Sequence, residues 1–415
     1  MTHNTYILLE NLPKIHQLIF PRDFRLLSTV TEVFELELAF YEYKLLTKSQ
    51  LIRRGAYFES IGGEETIHYK ICKNISPSLW KNRSKSTATY FQEGRFSTGY
   101  ATHGLFPYRG KFHPQLVKAL MNIIGIKEGD TVLDPMCGSG TLNVEAAIIG
   151  VNSIGIDKNP FACFMSRVKY EALSLDLGLL EELSDSRSLF KEFITKKGVL
   201  ETLRSSNREH RVKRLFLLAF LDAMGYARRI KRDLRELFPI VLKRYIEQVK
   251  KFILISKELN LKFGKAVIEF GDARNLETIK DSTIDGVITS PPYSFAIDYA
   301  ENDRPQLEYL GFNVNKLKQE MIGLRGLTRK ERIANYFSDI SQVLSEISRV
   351  LKNGRYAVII IGSNDIQTRG VRLEKRIKEM APIYNLYLIK EIPKPIKGIR
   401  NTMQEEFVLI FRKEV

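Results

Sequence analysis

At 415 residues, with a formal net charge of +16 and a pI near 9.5, the chain is long enough for two or three domains and favours a polyanionic partner, above all nucleic acid. No apolar run reaches the roughly 18–20 residues a membrane span needs, and MTHNTYILLENLPKIH at the start lacks a signal-peptide pattern. Cys72, Cys137 and Cys163 form neither a metal-type spacing nor a disulfide framework, so no metal is expected and a reducing cytoplasm fits.

Residues 1–95 alternate short apolar runs, such as Tyr6–Leu9 and Val33–Leu36, with polar stretches, and read as a small mixed α/β domain. A Gly- and aromatic-rich connector, Gly94 to Gly110, enters a helix near His113-Pro114. From Asp130 the pattern becomes strand (Thr131-Val132-Leu133), Gly-rich turn (Gly138-Ser139-Gly140), helix (Thr141 to Ile149) and strand (Ser153–Ile156), a βαβ unit that predicts a parallel sheet. Residues 162–262 interrupt it with a long helical stretch that carries most of the positive excess. Strands resume at Lys265–Phe270, Ile284–Ile288, Tyr356–Ile361 and Glu406–Phe411, so residues 96–161 and 263–415 are expected to form one catalytic domain around the insertion.

The segment Thr131–Thr141 is a strand followed by a glycine loop that opens a helix. Glycines allow close backbone approach to a ligand, and a helix start offers free N–H groups. Asp157 ends the next strand 23 residues after Asp134, an offset that suits a carboxylate reading ribose hydroxyls. A dinucleotide fingerprint wants a third glycine where Asn143 stands, which weakens a pyrophosphate reading. S-adenosylmethionine has no phosphate and asks for a carboxylate near its ammonium, which Asp134 can supply. Asp272, after the third strand, is placed to accept from an adenine amine. Three acidic strand ends predict a ligand along the carboxyl edge of an open sheet.

Ser290-Pro291-Pro292-Tyr293 closes the Ile284–Ile288 strand. A hydroxyl, fixed carbonyls and a flat ring suit gripping a planar amine and presenting its nitrogen to an electrophile, although Ser-Pro-Pro is also an ordinary turn. In the insertion, Arg211, Arg214, Arg228, Arg229 and Arg232 alternate with apolar residues, which reads either as a phosphate-gripping surface or as an amphipathic helix with a solvated face.

Asp134–Thr141 resembles the cofactor motif of amino-methyltransferases acting on nucleic acids, and Ser290–Tyr293 resembles the catalytic motif of their cytosine-N4 branch. Thr102–Pro114 is similar to the segment preceding the cofactor motif in DNA methylases of this group, and Glu406–Phe411 fits its final strand. The likeness covers parts of residues 95–411 and leaves out residues 1–95 and the basic insertion. It implies an α/β fold: a seven-stranded, mostly parallel, Rossmann-like sheet with one antiparallel edge strand, to which the sequence pattern itself adds a helical insertion and a small N-terminal domain. It further implies S-adenosylmethionine as methyl donor, with Asp134 near the methionine part, Asp157 on the ribose and Asp272 near the adenine. His113, Pro135, Cys137, Gly138, Gly140 and Thr141 would line the site; backbone positioning for His113 and packing under the loop for Cys137 are their other readings. Met136 departs from the family, where an aromatic is more usual.

An exocyclic cytosine amine is a poor nucleophile because its lone pair is delocalised into the ring. Ser290 Oγ and the Pro291 carbonyl would accept its two N–H bonds while Tyr293 stacks on the base, so that positioning and desolvation supply most of the rate. Carbon-5 methylation needs a thiolate from a Pro-Cys pair, and no cysteine here follows a proline. The expected activity is cytosine-N4 methylation of DNA. The same chemistry on structured RNA is the alternative, and a non-catalytic nucleic-acid binder on the same scaffold is a third reading.

Overall fold

The computed structural model describes residues 15, 17–73, 98–108, 111–292, 298–363, 370–395 and 405–415. Among the described residues ten strands run in order: β1 (Phe24–Leu26), β2 (Phe58–Ile61), β3 (Glu64–Glu65), β4 (Thr131–Asp134), β5 (Asn152–Asp157), β6 (Ala266–Phe270), β7 (Ile284–Thr289), β8 (Leu351–Gly362), β9 (Leu386–Pro395) and β10 (Glu405–Lys413). The helices that matter below are α1 (Val33–Leu45), α2 (Thr141–Ile148), α3 (Arg208–Ile230), α4 (Leu234–Glu258) and α5 (Arg329–Val350).

The chain forms two compact units, residues 1–123 with 167–262, and residues 124–166 with 263–415. This corrects the expected boundaries. Residues 98–123 fold with the N-terminal segment and the insertion, not with the large sheet. The physical reason is visible in buried contacts: Gln248 of α4 donates to the carbonyls of Gly99 (2.9 Å) and Ala101 (2.8 Å), and the Tyr245 hydroxyl accepts the Phe106 amide at 2.7 Å. The first unit holds the antiparallel sheet β1-β2-β3 and the helical pair α3/α4. Phe193, Phe220 and Phe238 pack edge-on and tilted against one another in its core.

The second unit is a seven-stranded sheet in the order β6-β5-β4-β7-β8-β10-β9. Pairs β4–β5, β4–β7, β5–β6 and β7–β8 are parallel, and β10 is antiparallel to both its neighbours. The one reversed strand is therefore β10, next to last, and the edge is β9, which points the same way as the parallel strands. β7 is buried along its whole length, and its run of Ile, Gly and Val suits a strand covered on both faces. α5 lays Tyr336, Ile340, Val343, Ile347 and Val350 on the sheet at helical spacing. The strands predicted around Thr131, Ser153, Lys265, Ile284, Tyr356 and Glu406 are all present, with ends shifted by a few residues.

Candidate active site

The glycine loop follows β4 and enters α2. Gly138 and Gly140 adopt φ of 50° and 74°, the left-handed region where glycine is favoured. At Gly140 a side chain would also run into the Ser166 hydroxyl. The loop is sewn to the neighbouring strand, since the Cys137 amide donates to Ile156 O (2.9 Å) and the Gly138 amide to Asp157 Oδ2 (2.8 Å). Pro135, Cys137 and Thr141 are buried in this turn. Burial pushes the Cys137 thiol well up, and its sulfur lies 3.7 Å from Ser166 Oγ, so it is a neutral packing group rather than a nucleophile.

The three acidic strand ends sit on adjacent strands β4, β5 and β6, in different states. Asp134 is 1% exposed, and its Oδ1 accepts from Thr289 Oγ1 (2.7 Å) and the Met136 amide (3.1 Å). Burial pushes its carboxyl up to about 7 against those two hydrogen bonds, with Asp157 adding to the rise. Burial likewise takes Asp157 up to about 6, opposed by the amides of Asn159, Gly138 and Lys158. Asp272 differs. Burial works to raise it, but Arg274 donates to both its oxygens (2.9 and 2.6 Å) and holds it below the ordinary carboxylate value. With the Arg274 amide also on Oδ1 at 3.0 Å, three of its roughly four acceptor sites are taken.

Two buried residues beyond those expected join this edge. Asn159 donates to Asp303 Oδ2 at 2.8 Å, and its own amide donates to Asp157 Oδ1 at 2.8 Å. Burial raises Asp303 to about 7, and Asp157 adds to the rise. The partners lie 144 residues apart in the chain, and no local pattern announces them. Thr289 had a signal, as a polar residue in the last, fully buried position of an apolar strand.

The predicted catalytic turn begins directly after Thr289 at the end of β7, beside β4. Pro291 is buried and Ser290 and Pro292 partly so; Tyr293 lies outside the described residues. Asp298 caps the next short helix by accepting the Glu301 amide (2.9 Å) and pairs with Lys318 at 2.5 Å.

His113 belongs to the first unit, where its carbonyl accepts the Val117 amide at 3.2 Å, the start of the helix Pro114–Ile123. Of the five arginines expected on phosphates, Arg228, Arg229 and Arg232 are exposed at the end of α3 and just beyond it, and Arg211 is partly buried. Arg214 is corrected: it is fully buried, donates through Nε and Nη2 to both Glu171 oxygens at 2.8 Å, and through Nη1 to the carbonyls of Thr202 and Ser205. It is an internal clamp with no face for phosphate.

The donor set fits S-adenosylmethionine better than a dinucleotide. Asp134 and Asp303 are buried and Asp157 is partly so; Asp157 raises the proton affinity of the other two, and all three are held by neutral donors, so a nearby cation favours their ionised forms. A pyrophosphate would add to that charge. Asp134 would face the ammonium end, Asp157 the ribose, and Asp272, held by Arg274 with Lys158 Nζ 3.8 Å from its Oδ2, the adenine.

Comparison with known proteins agrees. Residues 105–215 match the RMKL-like methyltransferase domain. The chain is 26% identical over 315 residues to the type II methyltransferase M.MjaII of Methanocaldococcus jannaschii, a match covering 70% of this chain and 57% of that protein. It is 27% identical over 275 residues to the type II methyltransferase M.BsoBI of Geobacillus stearothermophilus, covering 52% of this chain and 54% of that protein. A shorter stretch of 52 residues, 12% of this chain and 16% of the relative, is 42% identical to the tRNA (guanine(10)-N2)-dimethyltransferase of Methanothermobacter thermautotrophicus. The chain thus spans a little over half the length of the first two relatives. In cofactor loop, sheet order and these matches, the chain is similar to S-adenosylmethionine-dependent methyltransferases, type II methyltransferases among them.

Proposed function

We propose that this protein transfers a methyl group to the exocyclic N4 amine of cytosine in DNA. The observation that carries the reading is the juxtaposition of β7 and β4: the Ser290-Pro291-Pro292 turn follows a residue whose hydroxyl is bonded to Asp134, so the amine grip starts one strand from the cofactor loop. S-adenosylmethionine, when bound, supplies an electrophilic methyl on a sulfonium. The chain supplies position: Ser290 Oγ and the Pro291 carbonyl accept the two N–H bonds of the amine, and Tyr293 stacks on the base. No strong base is needed before attack, because the amine proton becomes acidic once the nitrogen is methylated. Buried, neutral Cys137 supports nitrogen over carbon-5 as the target.

Structured RNA is the second reading, favoured by the short, closer likeness to a tRNA methyltransferase whose name also specifies an exocyclic amine. Nucleoside mass spectrometry of DNA and of RNA, after incubation with protein and isotopically labelled cofactor, separates the two. Labelled N4-methylcytidine from RNA and none from DNA moves the substrate to RNA. A labelled guanine in place of cytosine removes the N4 assignment.

A further inference from the structure

Leu327 is 94% exposed, more than any other large hydrophobic residue among the described residues except Val415. Its backbone is nonetheless fixed. The Leu327 amide donates to Glu331 Oε2 (2.9 Å) within the capping box that opens α5, Arg332 Nε donates to Gly326 O (3.0 Å), and Asn335 holds Arg325 O (3.3 Å). Gly326, at φ +113°, makes a bend that side-chain-bearing residues rarely adopt. An apolar residue in this place, just before a helix cap, ordinarily folds back onto the first turn. Leu327 is held out from it instead, with Arg329 and Lys330 exposed beside it.

The base of this loop is tied to the catalytic edge. Glu320, where the preceding helix ends, pairs with Lys158 at 2.9 Å just beyond β5, and its carbonyl accepts from Arg274 at 2.8 Å. Arg274 and Arg325 converge on buried Asp339, both at 2.9 Å. Lys318, in the same preceding helix, pairs with Asp298 just past the catalytic turn.

Resting on the reading of a nucleic-acid base as substrate, we propose that Leu327 is an apolar wedge that enters the base stack of duplex DNA while Arg329 and Lys330 hold the flanking phosphates. A base in a duplex must leave the stack before its amine can be gripped, and rigid apolar side chains inserted between base steps stabilise the unstacked state. Lone exposed apolar residues are common and need no role. This one combines near-complete exposure, a pinned backbone, flanking cations and a base built into the catalytic edge. The need for a wedge disappears when the target is already unstacked.

The test compares one unmethylated plasmid DNA as duplex and as denatured single strands, with labelled S-adenosylmethionine. Leu327→Ala should slow labelling of the duplex by about tenfold and of single strands by less than about twofold, and Leu327→Phe should restore the duplex rate. Equal slowing on both forms, or an unchanged duplex rate, overturns the wedge. Wild-type protein that labels neither form removes the underlying reading and the wedge with it, a result visible without any variant.

Discussion

Thr289 Oγ1 donates a 2.7 Å hydrogen bond to Asp134 Oδ1, joining the last residue of β7 to the last residue of β4, just ahead of the glycine loop. Both groups are buried, so neither has water as a substitute partner. Thr289→Val keeps the shape and removes the donor. It should cost about 1–3 kcal/mol in stability, as expected for a buried acceptor losing a partner, and weaken cofactor binding. Thermal unfolding and calorimetric titration read the two effects, and an unchanged Kd would show that this bond does not support the cofactor site.

The raised carboxyls make the site sensitive to pH. Asp134, at about 7, would hold the ammonium best when ionised, and Asp157, at about 6, would accept from the ribose hydroxyls best when ionised. Affinity for S-adenosylmethionine should therefore fall as pH drops from 8 to 5.5 and level off above about pH 7, and Asp134→Asn should flatten the profile. Stability runs the opposite way. A carboxyl raised above its unfolded value favours the folded state while protonated, and that advantage is lost as pH rises from about 4 through the folded value. Asp134→Asn should thus stabilise the cofactor-free protein at pH 8. Cofactor affinity that does not change with pH would contradict the assignment of these two residues.

Ser290→Ala and Tyr293→Ala should each reduce methyl transfer by at least about a hundredfold, the scale expected when a transition-state partner is removed, with cofactor affinity within about twofold of wild type. Single-turnover rates and calorimetry check the two halves. Full activity in both variants would locate the amine grip elsewhere.

The arginines of α3 should separate cleanly. Replacing exposed Arg228 and Arg229 with Gln should weaken DNA binding and lower the slope of log K against log salt by roughly 2, at about 0.9 per lost phosphate contact. Arg214→Ala removes the fully buried one of Glu171's two arginine partners, leaving Arg167, and should instead destabilise the fold by up to about 3–5 kcal/mol. Salt titrations and denaturant melts distinguish them, and an unchanged salt slope in the Arg228/Arg229 variant would return that end of the helix to a solvated surface.

The six predicted strands of the large sheet were legible because each is an apolar run bounded by polar or turn residues, and the glycine loop because left-handed backbone demands its residue type. β9 was not. Tyr387, Leu388 and Ile389 face solvent at the sheet edge, and Lys390, Glu391, Pro393 and Pro395 break any apolar run. Arg214 looked like its exposed neighbours because burial depends on where Glu171 lies, 43 residues away, and sequence periodicity carries no such distance. The same limit hid Asp303 and the pairing of residues 98–106 with α4. Local chemistry announced the site's first contacts, while the partners that tune them came from far along the chain.

The sheet order also sets a timetable for synthesis. β4 and β5 pair with each other early, but the outer neighbour of β5 is β6 and the other neighbour of β4 is β7, both encoded beyond the long insertion. At roughly 5–20 residues per second, ribosomes need on the order of 5–20 s to deliver residues 158–265. Throughout that interval two apolar strands have open hydrogen-bonding edges, a template for stray pairing with other nascent chains. Yield in cells should therefore depend on chaperone supply and growth temperature more steeply than the equilibrium stability of the finished protein would suggest.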